Sequence, residues 1–189
     1  ERSEELGTAK GSFPAIEGSV YTNDMRNATV TTIAPTGSLH LIAGTTSGIE
    51  PVFSFAYSRV IDGQQVAIVS DLVRELLPAT AGGMDVAEHV RRHGTVEGLP
   101  LADHTRDLFR TAVDIAPEHH VRMQAAFQRH VDNAVSKTVN LKETATAGEI
   151  ARIFSLARDL GCKGITVYRY RSRPDQVLSR GCDVCIVDD

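Results

Sequence analysis

Five groups of residues in this chain have the types and spacing to do chemistry. The first is Ala34-Pro35-Thr36-Gly37-Ser38-Leu39, set between an apolar, strand-like run and the stretch Ser47-Gly48-Ile49-Glu50-Pro51-Val52-Phe53. A short Pro/Thr/Gly/Ser turn leading into a helix can hold an anion. Gly37 lets the backbone approach closely, Thr36 and Ser38 bring hydroxyl donors, and the first amides of the helix point outward. The same pattern also describes an ordinary strand-to-helix turn.

The second group is Ser136-Lys137-Thr138, between a helix and a strand, where Lys137 either meets an anionic group or is solvated. His89 and His93 stand four apart, a metal-ligand spacing, but Arg91 and Arg92 between them favour a solvated helix face. His119-His120 precedes an amphipathic pattern and reads as surface or packing. The last group is Cys182-Asp183-Val184-Cys185, which can close a reversible disulfide or supply half of a zinc site. No second pair follows to complete a zinc site, so electron shuttling from a mobile segment fits better. Cys162, after Gly161, reads as a small buried residue.

These residues need elements to position them. Residues 1–27 read as a helix followed by loop. Residues 28–34 are dense in β-branched side chains and predict a strand running straight into the turn. Ser38 is placed to cap the helix that follows, and residues 52–60 predict a second strand. Residues 71–114 predict two or three helices separated by Gly82-Gly83, Gly94 and Gly98. Residues 118–134 predict a helix with Met123, Phe127, Val131 and Ala134 as its buried stripe. A short strand at 138–141 precedes Thr146-Ala147-Gly148-Glu149, a capping box. The helix it opens turns Ile150, Ile153, Phe154, Ala157 and Leu160 inward and ends at Gly161. A strand at 165–168 completes an alternation that indicates an α/β fold.

Composition narrows the function classes. The chain has 189 residues, 42% hydrophobic and 23% charged, with a net charge of -4. That balance argues against a general nucleic-acid or membrane-surface binder. No apolar run approaches the roughly 18 residues a membrane helix needs, so a cytoplasmic setting is the expectation. Three cysteines, an odd number, argue against a disulfide framework. The first residue is Glu1 rather than Met, which fits a piece of a longer protein.

Taken together, the segments resemble the class II, adenosylcobalamin-dependent ribonucleotide reductases, in the C-terminal part of their catalytic chain. The resemblance rests on Arg26–Ser38, Ser47–Phe53, Met123–Gln128, Asp132–Leu141, Gly161–Arg169 and Gln176–Leu178, in family order. It implies the later part of a ten-stranded α/β barrel over residues 1–175, and a flexible Cys-x-x-Cys tail over 176–189. It implies reduction of a ribonucleotide to a deoxyribonucleotide by radical chemistry that adenosylcobalamin initiates. The turn of Pro35, Thr36, Gly37, Ser38 and Leu39 would hold the substrate phosphates. Cys182 and Cys185 would pass electrons from thioredoxin or a similar reductant. The complete enzyme would be a homodimer.

The family's Asn-x-Cys-x-Glu loop, which carries its thiyl radical, is absent from this sequence. This chain alone is therefore not expected to reduce ribonucleotides; an N-terminal half of the reductase would supply that loop and most of the cofactor site. Tyr170-Arg171 and Lys142 depart from the family pattern at element ends, which leaves only local turn geometry open. Two other readings are a non-catalytic nucleotide-binding or regulatory module derived from the barrel, and a small zinc-binding interaction protein.

Overall fold

The computed structural model describes residues 1–37, 39–61, 64–172, 181 and 186–187. In chain order the elements are α1 (Arg2–Lys10), a 3-10 turn (Ile16–Gly18), α2 (Leu39–Ala43), β1 (Ala56–Ile61), β2 (Gln64–Val69) and α3 (Asp71–Leu76). Then come β3 (Thr80–Ala81), β4 (Met84–Asp85), α4 (Val86–His93), α5 (Asp103–Leu108) and α6 (Pro117–Gln128). The chain continues through β5 (Thr138–Leu141), α7 (Ala147–Asp159), β6 (Thr166–Arg169) and β7 (Ile186–Val187).

Local chemistry explains the helix boundaries. Pro117 opens α6 at a position whose amide needs no partner. Asp85 caps α4 by accepting the Glu88 amide, and Gly94 closes it in the left-handed region at φ 68°. At the start of α7, Thr146 accepts from the Glu149 amide while Glu149 accepts from the Thr146 amide. That is the expected capping box, and α7 ends at Asp159 with Gly161 close behind. In α1, Gly7 lies so close to residues 24–26 that a Cβ there would sit 2.8 Å from their backbone.

The strands form three small sheets. β1 and β2 pair antiparallel from Ala56↔Val69 to Ile61↔Gln64, and β7 joins β2 in parallel. β3 and β4 make a two-residue hairpin around Gly82-Gly83, where the sequence suggested only a break between helices. β5 and β6 run parallel, joined by α7 as a crossover, with register Thr138↔Thr166 to Leu141↔Arg169. This β–α–β unit carries the α/β character expected.

Two apolar cores result. One gathers Phe55, Val69, Val73, Val86, Val90, Leu99 and Phe109 between the β1–β2 hairpin and α3–α4. The other packs Val121 of α6 against Val139 and Leu141 of β5 and Ile153 and Ala157 of α7.

Four expectations need correcting. Residues 28–34 form no continuous ladder; Ile33 makes a single parallel bridge to Val135. The Asp132 carboxylate takes the amides of Val30 (2.8 Å) and Thr31 (3.2 Å), so a side chain replaces the strand partner there. The strand predicted over 52–60 begins only at Ala56, because Val52 and Phe55 bond to loops: Ala112 N–H donates to Val52 O and Phe55 N–H to Gly94 O. In α6 the buried face is His120, Val121, Gln124, Ala125 and Gln128, whereas Met123 and Phe127 are half-exposed and the helix stops before Val131. Gln124 Nε2 donates to Val135 O and Gly164 O, and Gln128 Nε2 to Asn133 O, so polar side chains hold the loops that an apolar stripe would not satisfy. Phe154 of α7, also expected inside, is 49% exposed, while Ile153 and Ala157 are buried as expected.

Thr146→Ala removes one half of the capping box and should cost about 1 kcal/mol, read as a lower urea midpoint with an unchanged slope.

Candidate functional site

The Pro35-Thr36 turn lies at the end of a segment laid along residues 132–136. Thr31 O accepts the Asn133 amide, Ile33 O accepts the Ser136 amide, and Thr32 Oγ1 donates to Ala134 O. Asp132 belongs to the same clamp, and the Val30 amide it accepts holds its carboxyl below the usual carboxylate range. The clamp fixes where the chain emerges into the turn.

Thr36 adopts φ 48°, a left-handed conformation that costs a non-glycine residue about 1 kcal/mol. Contacts from the loop ahead of Glu50 surround it. Gly48 N–H donates to Thr36 Oγ1 at 3.0 Å, Ser47 Oγ donates to Pro35 O, and Thr36 Oγ1 and Ser47 Oγ lie 3.4 Å apart. His40 N–H donates to Thr36 O at 3.2 Å as α2 begins. The unusual backbone therefore falls on Thr36 rather than Gly37, whose added Cβ would meet open space. Close approach falls instead on Gly48, at φ 53°, where a Cβ would stand 2.9 Å from Ala34 O. Leu39 is exposed, and Ser38 lies outside the described residues.

Behind this turn sits a buried polar cluster. Lys137, 2% exposed, donates from Nζ to Glu50 Oε2 (3.0 Å), His120 Nδ1 (2.7 Å) and Thr138 O (3.1 Å). Those three contacts use all three ammonium protons. Glu50 Oε1 accepts the Thr138 amide. His120 Nε2 lies 2.8 Å from Ala112 O, an oxygen that only accepts, so the proton is on Nε2 and bare Nδ1 receives Lys137. Burial pushes the Lys137 ammonium below the usual lysine range, against the pull of the Glu50 carboxylate. Burial, with the Lys137 charge next, pushes His120 below the usual imidazole range. Of the two sequence readings of Lys137, the one in which it meets an anion describes the structure, and the anion is Glu50. The sequence reading places His120 at the surface or in packing; a histidine in the first turn of a helix says nothing of the lysine it meets 17 residues later.

Other candidates resolve more simply. His89 Nε2 contacts Glu97 O, the His89 and His93 rings lie 4.6 Å apart, and Arg91 and Arg92 both pair with Glu88, as a structural helix face would. Among the described residues no cluster of three or more His, Cys, Asp or Glu could hold a metal. Cys162 is half-buried, and burial raises its thiol pKa. Cys182 and Cys185 lie outside the described residues. A cavity of about 520 Å³ beside α5 is rimmed by Glu97, Asp103, Asp107 and Asp114 with Arg106 and Arg110, and since Asp103 and Asp107 already pair with those arginines, the net negative rim disfavours a phosphate.

The sequence matches the model of the ribonucleotide reductase barrel domain over residues 3–168. The chain belongs to that family. It is 47% identical over 182 residues to a vitamin B12-dependent ribonucleoside-diphosphate reductase of Mycobacterium tuberculosis H37Rv, covering 94% of this chain and 26% of that protein. A reductase of the same name from Thermoplasma acidophilum is 42% identical over 184 residues, covering 95% of this chain and 24% of the relative. The ribonucleotide reductase barrel chain thus spans about a quarter of the length of these relatives. Its fold is also that of the Actinobacillus ureae class Id ribonucleotide reductase alpha subunit, at TM-score 0.66 and 22% identity, covering 89% of this chain and 31% of that one. This agrees with a partial α/β barrel.

The relatives' names indicate vitamin B12 dependence. Few buried polar groups among the described residues of this barrel segment are left free to meet such a group. Among them, one buried side-chain polar atom lacks a hydrogen-bond partner, Gln124 Oε1, and its own amide nitrogen is tied to β5's approach and the loop before β6. No helix among the described residues is long and apolar enough to cross a membrane.

The His120 shift has a definite sign. Its folded-state pKa is depressed, so it contributes stability that is present above the unfolded pKa and lost as pH falls. The melting temperature should therefore fall between about pH 7 and pH 5. His120→Gln, which keeps a donor for Ala112 O and an acceptor for Lys137, should flatten that fall.

Proposed function

We propose that this chain is the C-terminal, substrate-phosphate-binding part of an adenosylcobalamin-dependent ribonucleotide reductase that makes deoxyribonucleotides for DNA synthesis. The observation that carries the reading is the left-handed Thr36, held by Gly48 and Ser47 at the mouth of α2. Non-glycine residues persist in this conformation where surrounding contacts over-determine it, and such positions cluster at ligand clamps. Thr36 Oγ1 accepts from Gly48, and its proton faces Ser47 Oγ at 3.4 Å, a long contact that a phosphate oxygen would replace. Names of the relatives support a nucleotide diphosphate as substrate.

In this reading residues 1–175 are the barrel portion and 176–189 a tail whose Cys182 and Cys185 accept electrons from thioredoxin or a similar reductant. The thiyl-radical loop and most of the adenosylcobalamin site belong to the N-terminal part of the reductase, so this chain's task is to bind and orient. The assembled enzyme is a cytoplasmic homodimer.

Two experiments test the proposal. With the N-terminal part of the reductase supplied, Thr36→Ala and Ser38→Ala should each weaken nucleotide binding by about tenfold, measured by calorimetry; unchanged affinity in both sinks the phosphate turn. Cys182→Ser combined with Cys185→Ser should spare turnover driven by a small dithiol and abolish turnover driven by thioredoxin. Equal loss with both reductants would make the pair structural.

A further inference from the structure

The loop that grips Thr36 has no buried apolar anchor. From residue 42 to residue 51 no described side chain is buried, and residues 42–46 are exposed. Hydrophobic burial, limited here to partly buried side chains such as Ile49 and Val52, therefore does little to set the position of Ser47 and Gly48. What reaches from this loop into the interior is the Glu50 carboxylate, bonded to Lys137 Nζ through one oxygen and to the Thr138 amide through the other. Glu50 N–H donates to Ser47 O at 2.8 Å, so the carboxylate and the Thr36 grip are opposite ends of one tight turn. Lys137 is in turn held by His120 Nδ1 and Thr138 O, on α6 and β5.

We infer that the Glu50–Lys137 pair positions the substrate-phosphate turn, acting through Ser47 and Gly48 on Thr36. The pair touches no substrate. It registers the loop against β5 just before Val52 joins the hairpin core, and the loop in turn keeps Thr36 left-handed. Lys137, the only buried lysine among the described residues, thereby contributes to phosphate binding without meeting a phosphate. This inference rests on the reading of the Pro35–Leu39 turn as the phosphate site.

A double-mutant cycle in the assembled reductase tests it, with nucleotide Kd, KM and kcat as readouts and thermal melting as control. Glu50→Gln should raise Kd and KM about tenfold with kcat within about threefold, and should add little further loss on top of Thr36→Ala. Ser47→Ala leaves the buried pair intact and needs no refolding of the interior. It should raise Kd in the same way and again combine non-additively with Thr36→Ala, so the test stands even if Glu50→Gln fails to fold. Thr36→Ala with unchanged affinity overturns the phosphate-turn reading and this inference with it. If Thr36→Ala weakens binding but Ser47→Ala is silent or fully additive, the phosphate turn stands and the positioning role is overturned. A Glu50→Gln variant that folds, melts normally and binds with unchanged affinity also overturns it.

Discussion

One buried ammonium organises this structure. Lys137 lies at the entry to β5 with its charge out of solvent, and such a group costs several kcal/mol unless every proton is matched. Matching it requires three acceptors from three parts of the chain: Glu50 from the loop after α2, His120 from α6, and Thr138 O from β5 itself. Each acceptor is then committed further. His120 must carry its proton on Nε2, which binds Ala112 O, and Ala112 N–H binds Val52 O. The chain of contacts closes between the hairpin core around Val69 and Val90 and the β5–α7–β6 core around Val139. A buried pair of this kind adds little net stability over an apolar replacement. Its contribution is geometric, because only one arrangement of the two cores satisfies it.

The same substitution of side chain for backbone recurs along the segment that leads to the turn. Asp132 supplies acceptors to Val30 and Thr31, and Thr31 Oγ1 accepts the Asp132 amide in return. Gln124 and Gln128 do similar work inside α6, bonding the carbonyls of the loops that lead into β5 and β6. Regular ladders would hold these stretches at uniform spacing. Side-chain bonds allow the chain to leave the sheet direction and turn at Pro35, which a continued ladder would not.

The α/β alternation, the capping box of α7 and the parallel β5–β6 pair were legible because each is set by residues within a few positions of one another. Thr146 and Glu149 announce their own reciprocal bonds, and Gly161 its own left-handed turn. The buried cluster was not legible, since Glu50, His120 and Lys137 are separated by 70 and 17 positions and none belongs to a periodic pattern. The α6 stripe failed for a related reason. Met123 and Phe127 obey helical spacing, but the loops behind α6 needed hydrogen-bond donors more than apolar area, and Gln124 and Gln128 rotated inward. At the turn the local pattern assigned the close approach to one glycine, and the structure places it at another. Close backbone approach was expected at Gly37 and occurs at Gly48, while the left-handed backbone falls on Thr36, because the constraint comes from across the loop.

That displacement bears on why residue 36 is a threonine. Glycine would adopt φ 48° without the cost of about 1 kcal/mol that a Cβ imposes. It would also remove the one atom that receives the Gly48 amide, leaving that donor without its partner and the Ser47–Glu50 turn free to drift. A neutral hydrogen bond contributes about 1 kcal/mol, so the strain and the bond nearly cancel in stability. What the threonine adds beyond that balance is a hydroxyl proton held at a defined point beside the opening of α2. On the proposed function, a small conformational cost is thus exchanged for a preorganised donor, which reduces the ordering that phosphate binding would otherwise require.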